Sequence, residues 1–96
     1  MFKKMGGMYK MAQQARAVQK KLRKAKITAT SDGGNIEVVV NGEMRLLELN
    51  ISEKALQGDN RERLEQTLVK TLNQALKKAQ QVAAEETKDL MGGLGI

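Results

Sequence analysis

Between Met8 and Ala25 the apolar side chains recur at Met8, Met11, Ala15, Val18, Leu22 and Ala25, an unbroken alternation of three- and four-residue steps. That spacing is the seam of an amphipathic helix. From Ile27 to Ile51 the period changes to two, and from Arg61 it returns to helical spacing. A chain written this way cannot be all-helical or all-β. It predicts an α+β fold: a long helix, a three-stranded antiparallel sheet, and a long C-terminal helix.

The strands are bounded by turn chemistry. Ile27, Ala29 and Ser31 alternate with Thr28 and Thr30, and Asp32-Gly33-Gly34 is a turn signal. Ile36, Val38 and Val40 form the next apolar row, and Asn41-Gly42 is a strong hairpin dipeptide. The return strand, Met44 to Ile51, puts Leu47, Leu49 and Ile51 on one face. An even loop of two or four residues is needed to match that face to Ile36/Val38/Val40, because an odd slip turns every side chain over. Val39, Met44 and Leu46 then fall on the second face, beside Glu37 and Glu48, and predict that something covers part of it. Ser52 to Leu56 reads as one helical turn closed by Gly58, and Asp59 or Asn60 as the N-cap of the next helix. That helix runs from Arg61 to about Leu90, with Leu64, Leu68, Leu72, Ala75, Leu76, Ala79, Val82 and Ala83 as its apolar face. Residues 1–91 make one domain, whose first seven residues read as a flexible basic arm; residues 92–96 read as a flexible Gly-rich tail.

Length sets a second constraint. Helices of roughly 20–30 residues extend about 30–45 Å, whereas strands of ~5–7 residues reach only about 17–23 Å. Both helices must overhang the sheet, and their apolar stripes need cover. A 96-residue chain buries a modest share of its surface alone, so a homodimer is expected, with Val39, Met44 and Leu46 as dimer or packing positions.

Charge is segregated. Lys3, Lys4, Lys10, Arg16, Lys20, Lys21, Arg23, Lys24 and Lys26 lie in the first 26 residues with no acid, giving +9; residues 27–60 carry −4 and residues 61–96 carry +1. The whole net charge of +6 is therefore owed to one segment. On the helix, Lys10, Arg16, Lys20, Lys21, Arg23 and Lys24 occupy the arc opposite the apolar stripe. Like charges one turn apart, such as Arg16/Lys20 and Lys20/Lys24, cost a few tenths of a kcal/mol each. A repeated cost of this kind points to an anionic partner, with duplex DNA first. Lys77 and Lys78 fit equally a solvated helix surface and a further DNA contact.

Several function classes lose support. The chain has no Cys and no His, so it lacks a thiolate or imidazole nucleophile, a disulfide framework and the usual zinc ligands. Asp, Glu, Lys and Ser remain, but no catalytic constellation is formed from them: no enzyme activity, no cofactor, no metal and no small-molecule substrate is expected. Glu37, Glu43 and Glu48 read as solvent-facing strand residues that keep the acidic middle away from DNA rather than as a metal cluster. Two aromatics in the chain leave little for base stacking. No apolar run reaches the ~18 residues of a membrane span, and Met5-Gly6-Gly7-Met8-Tyr9 is broken by Lys10 before it can serve as a signal segment. The reading is a cytoplasmic protein with no membrane partner. A membrane-surface helix is disfavoured by an apolar face made of Ala and Met; an adaptor docking its basic helix on an acidic protein, and RNA binding, remain as alternatives.

The order of motifs resembles the YbaB/EbfC family of nucleoid-associated DNA-binding proteins, found in bacteria and chloroplasts. The segments that carry the likeness are Gly6-Gly7-Met8 leading into Lys10-Met11-Ala12-Gln13-Gln14, Gly33-Gly34 before a Val-rich strand, and Asn41-Gly42 after it. Asp59 before Leu64-Glu65, Leu72-Asn73-Gln74-Ala75 followed by Lys77-Lys78-Ala79, and Leu90-Met91-Gly92-Gly93-Leu94 complete the series. The resemblance implies a tight, tweezer-like homodimer with central sheets and projecting helices. It also implies DNA binding through those helical arms with low sequence preference, in the nucleoid or, in a plastid lineage, the chloroplast stroma. Family members often carry mixed charge in the first helix, whereas here it is purely basic, which favours phosphate contact. If about six phosphates are neutralised, the log–log dependence of affinity on salt should have a slope near −5.

Overall fold

The computed structural model describes the backbone of residues 2–93 and the side chains of residues 7–92. Its elements are α1 (Phe2–Lys24), β1 (Ile27–Thr30), a 3-10 turn at Asp32–Gly34, β2 (Ile36–Val40), β3 (Leu46–Ile51), α2 (Glu53–Leu56) and α3 (Arg61–Gly93). The strands form one antiparallel sheet in the order β1-β2-β3. The α+β architecture expected from the changes of period is the one observed.

Both long helices exceed their expected bounds. α1 begins at Phe2 rather than Met8 and carries Gly6-Gly7 inside it; α3 continues past Leu90 through Gly92 and Gly93. Each glycine costs a helix about 1 kcal/mol, but propagation adds a hydrogen bond per residue and no proline stops it. The part of the tail at Leu94-Gly95-Ile96 lies outside the described residues.

α3 lies across β1 and β2. Ala29, Ile36, Val38 and Val40 are buried against Ala75 and Ala79, with Ile27, Leu64, Leu68, Leu72 and Leu76 packed around them. The two alanines are fully buried, so α3 approaches the sheet without a long side chain between them, and a larger residue at either position would push the helix outward. Each buried Val or Ile contributes about 1.5–3 kcal/mol. Thr71, between the leucines, is buried but satisfied, its hydroxyl donating to the Thr67 carbonyl at 2.7 Å.

β3 has no such cover. Leu46 is 50% exposed, and Leu47 and Leu49 are similarly open. The hairpin also departs from the expected two- or four-residue loop. Ile36 pairs with Ile51 and Val38 with Leu49, preserving the apolar face, but Val40 pairs with Leu46 across a bulge. Leu46 and Leu47 together therefore oppose Val40, and Leu46 belongs to the α3-facing row rather than the second face. Of the other two positions expected on the second face, Val39 is buried at 5% exposure within the single chain, while Met44 is exposed. Met44 is not a strand residue: it sits in the loop with φ of +63°, its N–H donating to the Asn41 carbonyl at 3.0 Å.

The loop is compact because Asn41 organises it. This side chain is 2% exposed, and its Oδ1 accepts from the Glu43 and Arg45 N–H groups at 2.9 and 3.0 Å. Its Nδ2 donates to the Arg23 carbonyl at the end of α1, at 3.2 Å. The next residue, Gly42, donates its N–H to the Leu22 carbonyl at 2.7 Å. A Cβ on Gly42 would lie 2.7–2.9 Å from Leu22 atoms, Cα included, so the close approach requires glycine. The pair read as hairpin chemistry thus also caps α1 and fastens it to the sheet.

The turn at Ser52 matches its signal, whereas the side-chain cap expected from Asp59 or Asn60 is not made to α3 among the described residues. Ser52 caps α2, its hydroxyl accepting from the Ala55 N–H at 3.2 Å. Asn60 precedes α3, and its side-chain amide donates backward to the Gln57 carbonyl at 2.9 Å. The molecule measures 69 × 19 × 17 Å, which is the overhang required by helices longer than the strands they accompany.

Candidate nucleic-acid interface

α3 passes β1 and meets α1 beyond the sheet. Lys78 of α3 meets Thr28 of β1, while Glu86, two turns further along α3, meets Lys21 of α1. Val18, Leu22 and Ala25 are half-buried in this region, as are Val82, Ala83 and Leu90. Toward the start of α1 the cover ends: Met8 is 72% exposed, and Tyr9 and Met11 are exposed with it. Of the expected apolar stripe, only the C-terminal half is packed.

The outer arc of α1 carries the bases. Arg16, Lys20 and Lys24 are four residues apart, and therefore about one turn apart on a single row. Together with Gln19 and Arg23 they line a shallow groove of about 340 Å³. Lys10 continues toward the free end and is exposed, as is Lys77 on α3. The side chains of Lys3 and Lys4 lie outside the described residues.

The flanks of the arc are treated differently from its centre. Among the described residues, the ion pairs made by α1 are two. Lys21 Nζ lies 2.8 Å from Glu86 Oε1 of α3, and Arg23 Nε lies 3.0 Å from Glu43 Oε1 of the β2–β3 loop. Glu86 holds the Lys21 ammonium above the ordinary lysine range, first through its hydrogen bond and then through its charge. In helical projection Arg23 and Lys21 mark the two edges of the arc, with Arg16, Lys20, Lys24 and Lys10 between them. Acids from two other elements thus border a strip of bases.

Lys78 is committed elsewhere, since its ammonium donates to the Thr28 carbonyl of the outer strand β1 at 3.0 Å. Glu43 leaves the row of strand acids with which it was grouped and turns to Arg23. Glu37 and Glu48 stay on the sheet, and Glu37 accepts from Asn50 at 3.3 Å. No grouping of three or more acidic side chains suited to a metal ion is present among the described residues. No helix among them is long and apolar enough to cross a membrane. Sequence reasoning located the basic row but missed Gln19, Glu43, Glu86 and the role of Asn41. The contacts of Asn41, Glu43 and Glu86 with α1 join residues far apart along the chain, beyond any local pattern.

Comparison with known proteins identifies the family. A family model described as the YbaB/EbfC DNA-binding family matches residues 1–94. A nucleoid-associated protein of Clostridium novyi is 37% identical over 87 residues, covering 91% of this chain and 76% of that one. One from Pelotomaculum thermopropionicum is 33% identical over 96 residues, covering 100% and 91%. The crystal structure of an uncharacterised protein from Helicobacter pylori superposes with a TM-score of 0.74 at 25% identity, covering 98% of this chain and 96% of that one. The chain belongs to the YbaB/EbfC DNA-binding family.

Proposed function

We propose that this member of the YbaB/EbfC family binds duplex DNA through the outer arc of α1, with little regard to sequence, as a symmetric dimer. The observation that carries the reading is the row Arg16, Lys20 and Lys24, lining one groove on a helix that holds no acid. Such a row displaces counterions from successive phosphates, a contribution that depends on salt and not on base sequence. Arg16 and Arg23 add guanidinium forks able to grip a phosphate or a guanine edge. Lys10, Lys21, Lys3 and Lys4 extend the field along the helix, and Lys77 adds to it from α3. Lys78 contributes charge while holding β1.

The dimer is proposed to form at β3, whose outer edge is unpaired and whose Leu46, Leu47 and Leu49 are uncovered among the described residues. An open strand bearing exposed leucines is a template for a second copy. Two copies would place two basic arms about a two-fold axis, able to bridge or clamp duplexes and so organise a chromosome and affect transcription. The names of the relatives as nucleoid-associated proteins support placing this work in the nucleoid.

A salt-titrated gel shift on random duplex DNA tests the reading. Binding should weaken steeply with salt, and changing Arg16, Lys20 and Lys24 together to Gln should reduce the log–log slope by about 2–3. A flat salt response, or unchanged binding by the triple variant, would overturn it. Stronger competition by RNA than by a second unrelated duplex would reassign the ligand to RNA.

A further inference from the structure

Among the described bases of α1, Arg23 is the one held at both ends. Its backbone carbonyl accepts from Asn41 Nδ2 at 3.2 Å, and its Nε donates to Glu43 Oε1 at 3.0 Å. Glu43 is itself held, because its backbone N–H donates to the same Asn41 side chain at 2.9 Å. One buried amide thus positions both the root of Arg23 and the carboxylate that receives its side chain. The Nε contact leaves the terminal nitrogens, the edge that makes end-on bidentate contacts, available on a side chain still 65% exposed. Arg16, in the same groove, has no such support among the described residues.

We infer that Glu43, anchored by Asn41, is a positioning residue that holds the Arg23 guanidinium ready for a nucleic-acid phosphate or base edge. This rests on the DNA-binding reading above and deepens it. An unsupported arginine loses rotamer freedom when it binds, whereas a side chain already ordered in the free protein has lost it beforehand. Glu43 also places a negative charge beside the groove, which opposes phosphate approach. The two effects have opposite signs, so deletion of Glu43 alone cannot separate them.

A pair of isoelectric variants separates them. Glu43→Gln and Glu43→Ala remove the same charge, but only Gln keeps an oxygen that can accept from Arg23 Nε. Dissociation constants for random duplex DNA are measured for both, in the Arg23 protein and in an Arg23→Lys background. With Arg23 present, Glu43→Gln should bind about three- to tenfold more tightly than Glu43→Ala. In the Arg23→Lys background the two should be equal. That background carries any folding difference between the Glu43 variants as well, so loss of fold cannot imitate the result. Equal affinities with Arg23 present would overturn the inference and leave Glu43 as a competing acid only. A gap that persists in the Arg23→Lys background would also overturn it, by showing that Glu43 acts through some other group. Absence of salt-dependent binding by the unmodified protein would overturn the DNA-binding reading itself, and this inference with it.

Discussion

The two halves of α1 repeat one pattern of apolar and basic positions, but they meet different surroundings. Toward its C-terminus, Val18, Leu22 and Ala25 are half-buried and the last turn is held by Asn41 and Gly42. Toward its N-terminus, Met8, Tyr9 and Met11 stand open to solvent. Similar sequence periodicity therefore yields a fixed base and a projecting end. What separates the halves is the surface of α3 and of the β2–β3 loop that only one of them reaches, and that loop follows only after two intervening strands.

This difference can be broken most severely at Asn41. Asn41→Ala would leave the Arg23 carbonyl and the Glu43 and Arg45 N–H groups without their partner. Leaving buried polar groups unsatisfied should cost about 3 kcal/mol in urea unfolding. Gly42→Ala comes next, at about 2 kcal/mol, because the new methyl meets the Leu22 backbone and α1 must shift. If either variant retained full stability, the fixed end would owe its position to apolar packing alone.

Smaller effects sharpen the comparison. The Lys21–Glu86 pair lies within the held, C-terminal half and should respond to pH. Because Lys21 has a raised pKa in the folded state, the pair's contribution is fully present below the usual lysine value of 10.5. It is lost as pH rises through the raised value. The unfolding midpoint should therefore fall in strongly alkaline solution, and Lys21→Gln should lack that part of the fall. The smallest effect belongs to the open end, where Met8→Ala and Met11→Ala should change stability by no more than about 0.5 kcal/mol each. A larger loss that grows with protein concentration would show that a second copy covers this end.

These contrasts also mark how much could be read in advance. Element order, the α3 face from Leu64 to Ala79 and the basic arc of α1 were legible, because each is written in local periodicity. The length of the packed stripe was not, since Met8 and Leu22 occupy equivalent helical positions and differ only in what lies beneath them. Asn41-Gly42 was legible as a turn, but its grip on Leu22 and Arg23 depends on two segments meeting in space. The parity of the hairpin was right for Ile36/Ile51 and Val38/Leu49, yet the bulge at Leu46 and Leu47 altered the pairing beside the loop. The acids bordering the groove were visible only as scattered Glu residues.

Lys78 carries a consequence for stoichiometry. Its ammonium occupies a backbone acceptor of β1 at 3.0 Å, on the strand that α3 also covers, while β3 at the other side of the sheet is bare. A protomer with one edge partly occupied and one edge open among the described residues resembles a reagent biased toward coupling once. On the dimer proposed above, association through β3 would favour a pair, where a sheet open on both sides could add copies without limit.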